Sequence, residues 1–387
     1  MQLCRNFKKK KPNNRDNLAI KTLIIRLFAT ALLFGLFSCE EKVTNPPEIP
    51  GTGDDDQTVS SLERIKSVDV SFLPQIRASN FEFKDEFGST VDALDHLQTK
   101  GINTVRLRLW YAPNSQYSSW AEVKDFADEI HSRGLKLWLS VHYSDTWADP
   151  GSQNAPLDWQ NLSLSEMEDS VYNYTKRILV AMQPEYIQVG NEINPGFLWP
   201  VGIRSSTQAF HRLINAGIKA VRSDSTHSEI ILHYAGIDGS SSFFNDLDTL
   251  DYDIVGLSLY PFWHGKDISN WESVLNGLII QTQKPCIIVE TAYPFSLGWN
   301  DWTNNIVGDN NQIMNEYPAS PQGQLNFMTE INRLSLDVDS CLGWSYWAPE
   351  WVSFNGSQSS NGSSWENLCW WDFNGDPLPV FDVLELQ

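Results

Sequence analysis

From residue 59 onward, short apolar runs rich in β-branched residues alternate with stretches whose apolar residues recur every three or four positions. The short runs read as buried strands and the periodic stretches as helices packed on them, the βα alternation of a parallel sheet. Eight strands are predicted, at residues 68–72, 104–109, 135–141, 185–189, 230–234, 254–259, 285–289 and 342–346. The clearest helix runs from Ser205 to about Arg222. Ser205 and Gln208 form a capping-box pattern, and Phe210, Leu213, Ile214, Gly217, Ile218 and Val221 mark one face. Ser163 with Glu166 opens a second helix, ending near Met182. Eight strands with intervening helices predict an α/β fold: one (β/α)8 TIM barrel with long βα loops at residues 61–387. The rival is a doubly wound sheet. It gathers its chemistry at one switch point and usually carries a glycine-rich phosphate turn, and no such turn is present here.

The first 60 residues follow another pattern. A basic stretch precedes the apolar run at residues 27–37, which is 11 residues long. That is too short to span a bilayer and suits the core of a signal peptide. The run ends in Leu36-Phe37-Ser38-Cys39, which resembles a bacterial lipoprotein cleavage site. The expectation is a signal peptide at 1–38, a lipidated Cys39 and a disordered tether at 39–60, placing the protein on the outer membrane, facing periplasm or cell surface. The rival is an uncleaved anchor.

Composition narrows the partners. Hydrophobic residues make up 41% of the 387, enough for a real core. The net charge is −20, and the basic first 38 residues carry +7, which leaves −27 on the rest. So acidic a surface disfavours nucleic acid and polyanions and leaves neutral ligands open. The 16 Trp are many for this length; several belong to the core, a Trp-rich core being the plain alternative, and any excess reads as stacking platforms, for which sugar rings are the commonest ligand. Cys286 and Cys341 read as buried thiols, and no cysteine pair has metal-ligand spacing. Nothing indicates oligomerisation, so a monomer is expected.

In a parallel barrel, chemistry collects at the C-terminal ends of strands. Polar and aromatic residues stand there after strand upon strand. Arg106 and Arg108 alternate with Leu107 and Leu109, and His142 opens the stretch to Pro150. Asn191-Glu192 ends the fourth strand, Ser258 and Tyr260 to His264 the sixth, Glu290 the seventh, and Trp344 and Trp347 belong to the eighth. Singly, each has a plain alternative: Arg106 or Arg108 as ion-pair partners, His142 as a core imidazole, Trp347 as a barrel plug. Together, two glutamates each closing a β-branched run are what a double-displacement glycosidase needs, with carboxyl groups about 5–5.5 Å apart. Glu192 is expected as acid/base, its pKa raised by burial and by the neighbouring charge. Glu290 is expected as nucleophile, held anionic by Arg108 or Tyr260. Asn191 suits a hydrogen bond to the sugar 2-hydroxyl.

With those residues in view, the chain resembles glycoside hydrolase family 53, the arabinogalactan endo-β-1,4-galactanases. The resemblance rests on Val68-Asp69-Val70-Ser71-Phe72, the stretch from Asn103 to Trp110, His142 to Pro150, Val189 to Asn194, Leu259 to Gly265, and Glu290-Thr291-Ala292-Tyr293-Pro294. It implies cleavage of internal β-1,4-galactosidic bonds in pectic galactan, with Glu192 as acid/base and Glu290 as nucleophile. It places Arg108, His142, Asn191, Tyr260, His264 and Trp347 around the catalytic subsite, and it requires no cofactor for the chemistry. One departure follows the last strand. Family members often read Trp-Glu-Pro-Ala-Trp where this chain has Trp347-Ala348-Pro349-Glu350-Trp351. Some bacterial members join two loops with calcium. Here Asp301, Asn305, Ser363 and Glu366 offer oxygens for such an ion, although the family's His and second Asp are missing, and an Asn-rich loop without metal fits the same residues. Two other functions stay open: a mannanase or xylanase on the same barrel, and a surface glycan-binding lipoprotein without activity.

Overall fold

The structure is a computed structural model that describes residues 64–223 and 228–386. The expectations for the signal segment, Cys39 and the tether lie outside the described residues. Parallel strands form a closed barrel. β1 (Ile65–Asp69) is followed by a small antiparallel hairpin, β2 (Phe83–Lys84) with β3 (Thr90–Val91). The barrel resumes with β4 (Thr104–Leu109), β5 (Lys136–Val141), β6 (Tyr186–Val189), β7 (Glu229–Ala235), β8 (Ile254–Ser258), β9 (Cys286–Thr291) and β10 (Cys341–Trp347). Each barrel strand pairs with the next, and β10 closes on β1. The helices are α1 (Leu73–Arg77), α2 (Ala93–Lys100), α3 (Trp120–Ser132), α4 (Leu164–Met182), α5 (Thr207–Arg222), α6 (Ser240–Asp246), α7 (Pro261–His264), α8 (Ile268–Thr282) and α9 (Pro321–Asp337). None of the described helices is long and apolar enough to cross a membrane.

All eight predicted strands are present, with one displaced. The first was expected at 68–72 and runs Ile65–Asp69. Its apolar alternation does continue through Val70 and Phe72, but Asp69 ends the strand. The Asp69 carboxylate accepts both the backbone N–H and the hydroxyl of Ser71, at 3.1 and 2.5 Å, and the chain turns into α1. The two helix starts differ in a similar way. Ser163 and Glu166 form the expected capping box on α4. The predicted box at Ser205 and Gln208 does not form, because α5 starts later: Ser206 is its N-cap and makes no side-chain capping bond.

Side chains inside the barrel stack in layers. A small apolar cluster of Ile65, Trp138, Ile231, Ile254, Ile287 and Val289, contributed by five strands, fills the floor. A polar layer lies above it, with the Arg106 guanidinium 5.9 Å from the Trp138 ring centre. A larger apolar cluster fills the space between the strands and the helices. Cys286, Cys341 and Cys369 are all free and buried.

Candidate active site

After β6 the chain changes direction at once. Gly190 has φ +86°, and a Cβ there would lie 2.5 Å from the Ile193 side chain, so the turn admits only glycine. Glu192 takes left-handed backbone as well, φ +46°. For a residue with a side chain this strain costs about 1–3 kcal/mol and tends to collect at working sites. Glu192 and Glu290, the latter from within β9, line one cleft of about 320 Å³ with Asn191, Tyr260 and the indoles of Trp147, Trp263, Trp347, Trp351 and Trp365.

The two carboxylates are held differently. Glu290 Oε1 lies 2.8 Å from Arg106 Nη2, and the Tyr260 hydroxyl donates to Oε2 at 3.1 Å. Arg106 is fully buried and also donates to Asp69 at 2.6 Å, to Gln188 at 2.7 Å and to Asn191 Oδ1 at 3.0 Å. Among the described residues, no cation contacts Glu192. Its Oε1 accepts the Ser258 hydroxyl at 2.7 Å. Burial first, then the charge of Glu290, push its pKa up to about 8, against the Ser258 hydrogen bond. Burial raises Glu290 too, while Arg106 and the Tyr260 bond oppose the rise. Two buried carboxyl groups that feel each other hold one proton between them before both ionise. The guanidinium on Glu290 leaves that proton on Glu192.

Arg108 does not perform the orienting role expected of it. Its Nε donates to Ser118 at 3.0 Å, and its guanidinium sits among the rings of Trp147, Phe72 and Trp110, at 4.1, 4.6 and 4.8 Å. Arg106 contacts Glu290 instead. Both arginines point inward because they are two residues apart, but Arg108 stands roughly 6.6 Å nearer the mouth. His142 is buried behind the cleft, where Nδ1 accepts the Ala148 N–H at 3.0 Å and shapes the loop that carries Trp147; burial holds its pKa well below the usual value. Asn191 donates to the Ala148 carbonyl at 2.8 Å. His264 is not in the cleft wall. Its Nδ1 accepts the Tyr260 N–H at 3.1 Å, which braces the turn behind Tyr260. Trp347 forms cleft wall, edge-on to Trp365 at 4.7 Å. Asp69, Gln188 and His233 were not singled out from the sequence. Their signal is a polar residue inside an otherwise apolar strand, and Asp69 lies beside Arg106 in the strand register.

Comparison with known proteins decides the family. Residues 65–384 match the family model described as Glycosyl hydrolase family 53. The chain belongs to glycosyl hydrolase family 53. Similar proteins include an arabinogalactan endo-β-1,4-galactanase of Cellvibrio japonicus, 31% identical over 81% of this chain and 88% of the relative. Another is an endo-β-1,4-galactanase of Bacillus subtilis, 30% identical over 83% of this chain and 85% of the relative. Among solved structures, the Ignisphaera aggregans GH53 catalytic domain superposes with a TM-score of 0.79 at 33% identity, covering 84% of this chain and 96% of that one.

Two further features of this family-53 hydrolase concern its long loops. Asp301, Asn305, Ser363 and Glu366 are all buried, and Asp301 meets both Ser363 and Glu366. Asp301 Oδ2 accepts the Ser363 N–H at 3.2 Å, and Glu366 Oε1 accepts the N–H groups of Asn300 and Asp301 at 2.6 and 3.3 Å. Asn305 Oδ1 and Glu366 Oε2 have no partner. The Ser363 hydroxyl is already engaged, donating to the Trp351 carbonyl and accepting from Trp365 N–H. Among the described residues, no cluster of three or more His, Cys, Asp or Glu could hold a metal. The unpartnered oxygens, one on Asn305 and one on Glu366, are of the kind a hard cation takes. The second feature is Glu350, the acid displaced by two positions from the usual family pattern. It is fully buried and accepts the Phe72 N–H at 3.0 Å. Phe72 stacks on the cleft residue Trp351 at 3.8 Å, so Glu350 braces an aromatic wall.

Proposed function

We propose that this hydrolase is a retaining endo-β-1,4-galactanase that cuts the galactan side chains of pectin by double displacement. The observation that carries the mechanism is the unequal partnering of the two glutamates. Glu290, held by Arg106 and Tyr260, attacks the anomeric carbon and forms the glycosyl-enzyme. Glu192 gives its proton to the departing glycosidic oxygen. Once Glu290 is glycosylated its charge is gone, the field that raised the Glu192 pKa weakens, and Glu192 takes a proton from the incoming water. The indoles of the cleft stack on the apolar faces of the sugar rings. The galactan substrate is supported by the two named relatives.

We further infer where the enzyme sits and what braces its loops. Cys39 carries a lipid that tethers the enzyme to the outer membrane, facing neutral polysaccharide. A calcium ion is held by Asp301, Asn305 and Glu366 and ties the two loops together; it supplies stability, not a catalytic group.

The test is a product profile. Linear β-1,4-galactan should yield a ladder of oligosaccharides, while β-mannan and xylan should not. Glu290→Gln should abolish turnover and keep galactan binding. Preferential cutting of mannan or xylan would overturn the substrate, and a parent that binds galactan without turnover would overturn the enzyme reading.

A further inference from the structure

His233 stands in the middle of β7, fully buried, and belongs to neither carboxylate. Its hydrogen bonds can be assigned end to end. Arg106 Nε, always protonated, donates to Gln188 Oε1 at 2.7 Å, which fixes the Gln188 amide. The Gln188 nitrogen then faces His233 Nδ1 at 3.0 Å, and the Glu192 backbone N–H aims at the same atom from 3.3 Å. Asn191 Oδ1 lies 3.1 Å from Nδ1, but that oxygen accepts from Arg106 and Ser140, at 3.0 and 3.3 Å. With two donors directed at it, Nδ1 is an acceptor. The ring is neutral, because burial and then Arg106 hold its pKa well below the usual value. Its single hydrogen therefore sits on Nε2, which is 2.8 Å from Ser258 Oγ. Because Nε2 donates in that contact, the Ser258 hydroxyl accepts there and directs its own hydrogen to Glu192 Oε1 at 2.7 Å.

We propose that His233 is a positioning residue for the general acid: as its Nε2–H tautomer it turns the Ser258 hydroxyl onto Glu192, with Arg106 orienting it from behind through Gln188. One guanidinium thus orients both carboxylates, Glu290 by direct contact and Glu192 through three side chains. The inference rests on Glu192 being the acid/base of the reaction proposed above. A donor on Glu192 favours its ionised form. The other groups bearing on that carboxyl are Glu290 from β9, Asp149 after β5, Arg106 from β4 and Tyr260 after β8. Losing the Ser258 bond therefore moves the alkaline limb of kcat/KM to higher pH.

The parent enzyme, labelled with 15N at histidine, should show a neutral Nε2–H ring for His233 from about pH 5 to 9, identified by its absence in His233→Phe. An Nδ1–H tautomer or a charged ring overturns the inference. His233→Phe and Ser258→Ala should each lower kcat/KM on galactan by roughly 10- to 100-fold. On an aryl galactoside whose leaving group needs no proton, the loss should be small. The double variant should be no worse than the weaker single one, because both act through the same bond. Additive losses, or equal losses on both substrates, also overturn it. Should His233→Phe fail to fold, Ser258→Ala, with its predicted alkaline shift, decides alone, and the backbone-assigned tautomer of the parent replaces the identification by difference. If galactan is not turned over but the tautomer is as stated, the substrate reading has failed and the hydrogen-bond chain has not.

Discussion

Glu192 and Glu290 are the same side chain in two unlike settings, and the difference lies in what touches each. The proposed mechanism needs Glu192 protonated and Glu290 ionised. Activity is present below the Glu192 pKa and lost above it, so kcat/KM should fall above about pH 8. Tyr260→Phe removes a donor from ionised Glu290. The acid limb should then move to higher pH and kcat/KM should drop roughly 10- to 100-fold, as expected for a hydrogen bond to a charged group. An acid limb that stays in place would mean that Glu290 does not feel the bond. Glu350 offers a second residue-scale prediction, in stability. Burial raises its pKa well above the usual carboxylate value. Its unfolded form releases a proton first, so the folded state loses stability as pH rises past the ordinary carboxylate range. Glu350→Gln keeps an oxygen for Phe72 N–H and has no such loss. Its Tm relative to the parent should climb between about pH 5 and 8; a constant difference would refute the assignment. At this scale the sequence was read only in part. The glutamates were legible because each closes an apolar run. Which arginine meets Glu290 was not, because Arg106 and Arg108 share an inward parity and only depth in the barrel separates them.

The elements were more legible than their ends. Apolar runs located all eight barrel strands, because a strand covered on both faces needs an unbroken apolar stretch. Ends depend on single side chains that capture backbone N–H groups, and these compete locally. Asp69 captured the chain before Val70 and Phe72 could extend β1. Ser163 captured the start of α4, and no serine did so for α5. Ser163→Ala should therefore cost about 1 kcal/mol of unfolding free energy, while Ser206→Ala should cost close to nothing. Denaturant titration of the two variants side by side checks this, and equal losses would mean that the capping bond contributes nothing.

At the scale of the whole molecule, the loops above β9 and β10 carry one more consequence. A cation bound only by the folded state stabilises it by mass action. Chelation should lower Tm by several degrees, added calcium should restore it, and Glu366→Ala should abolish the response. A Tm indifferent to chelator would leave the buried acids Asp301 and Glu366 as a metal-free brace. The plug formed by Ile65, Trp138, Ile231, Ile254, Ile287 and Val289 reaches further than stability. With that end stopped, nothing threads through the barrel. The long polymer has to lie across the rim, and both severed halves stay on the same open side. In the proposed double displacement, the half that was cut loose must vacate its seat before water can reach the sugar bound to Glu290. A second carbohydrate chain arriving by that entrance competes with water for the same bond, so crowding the rim with short oligosaccharides should turn cutting into splicing.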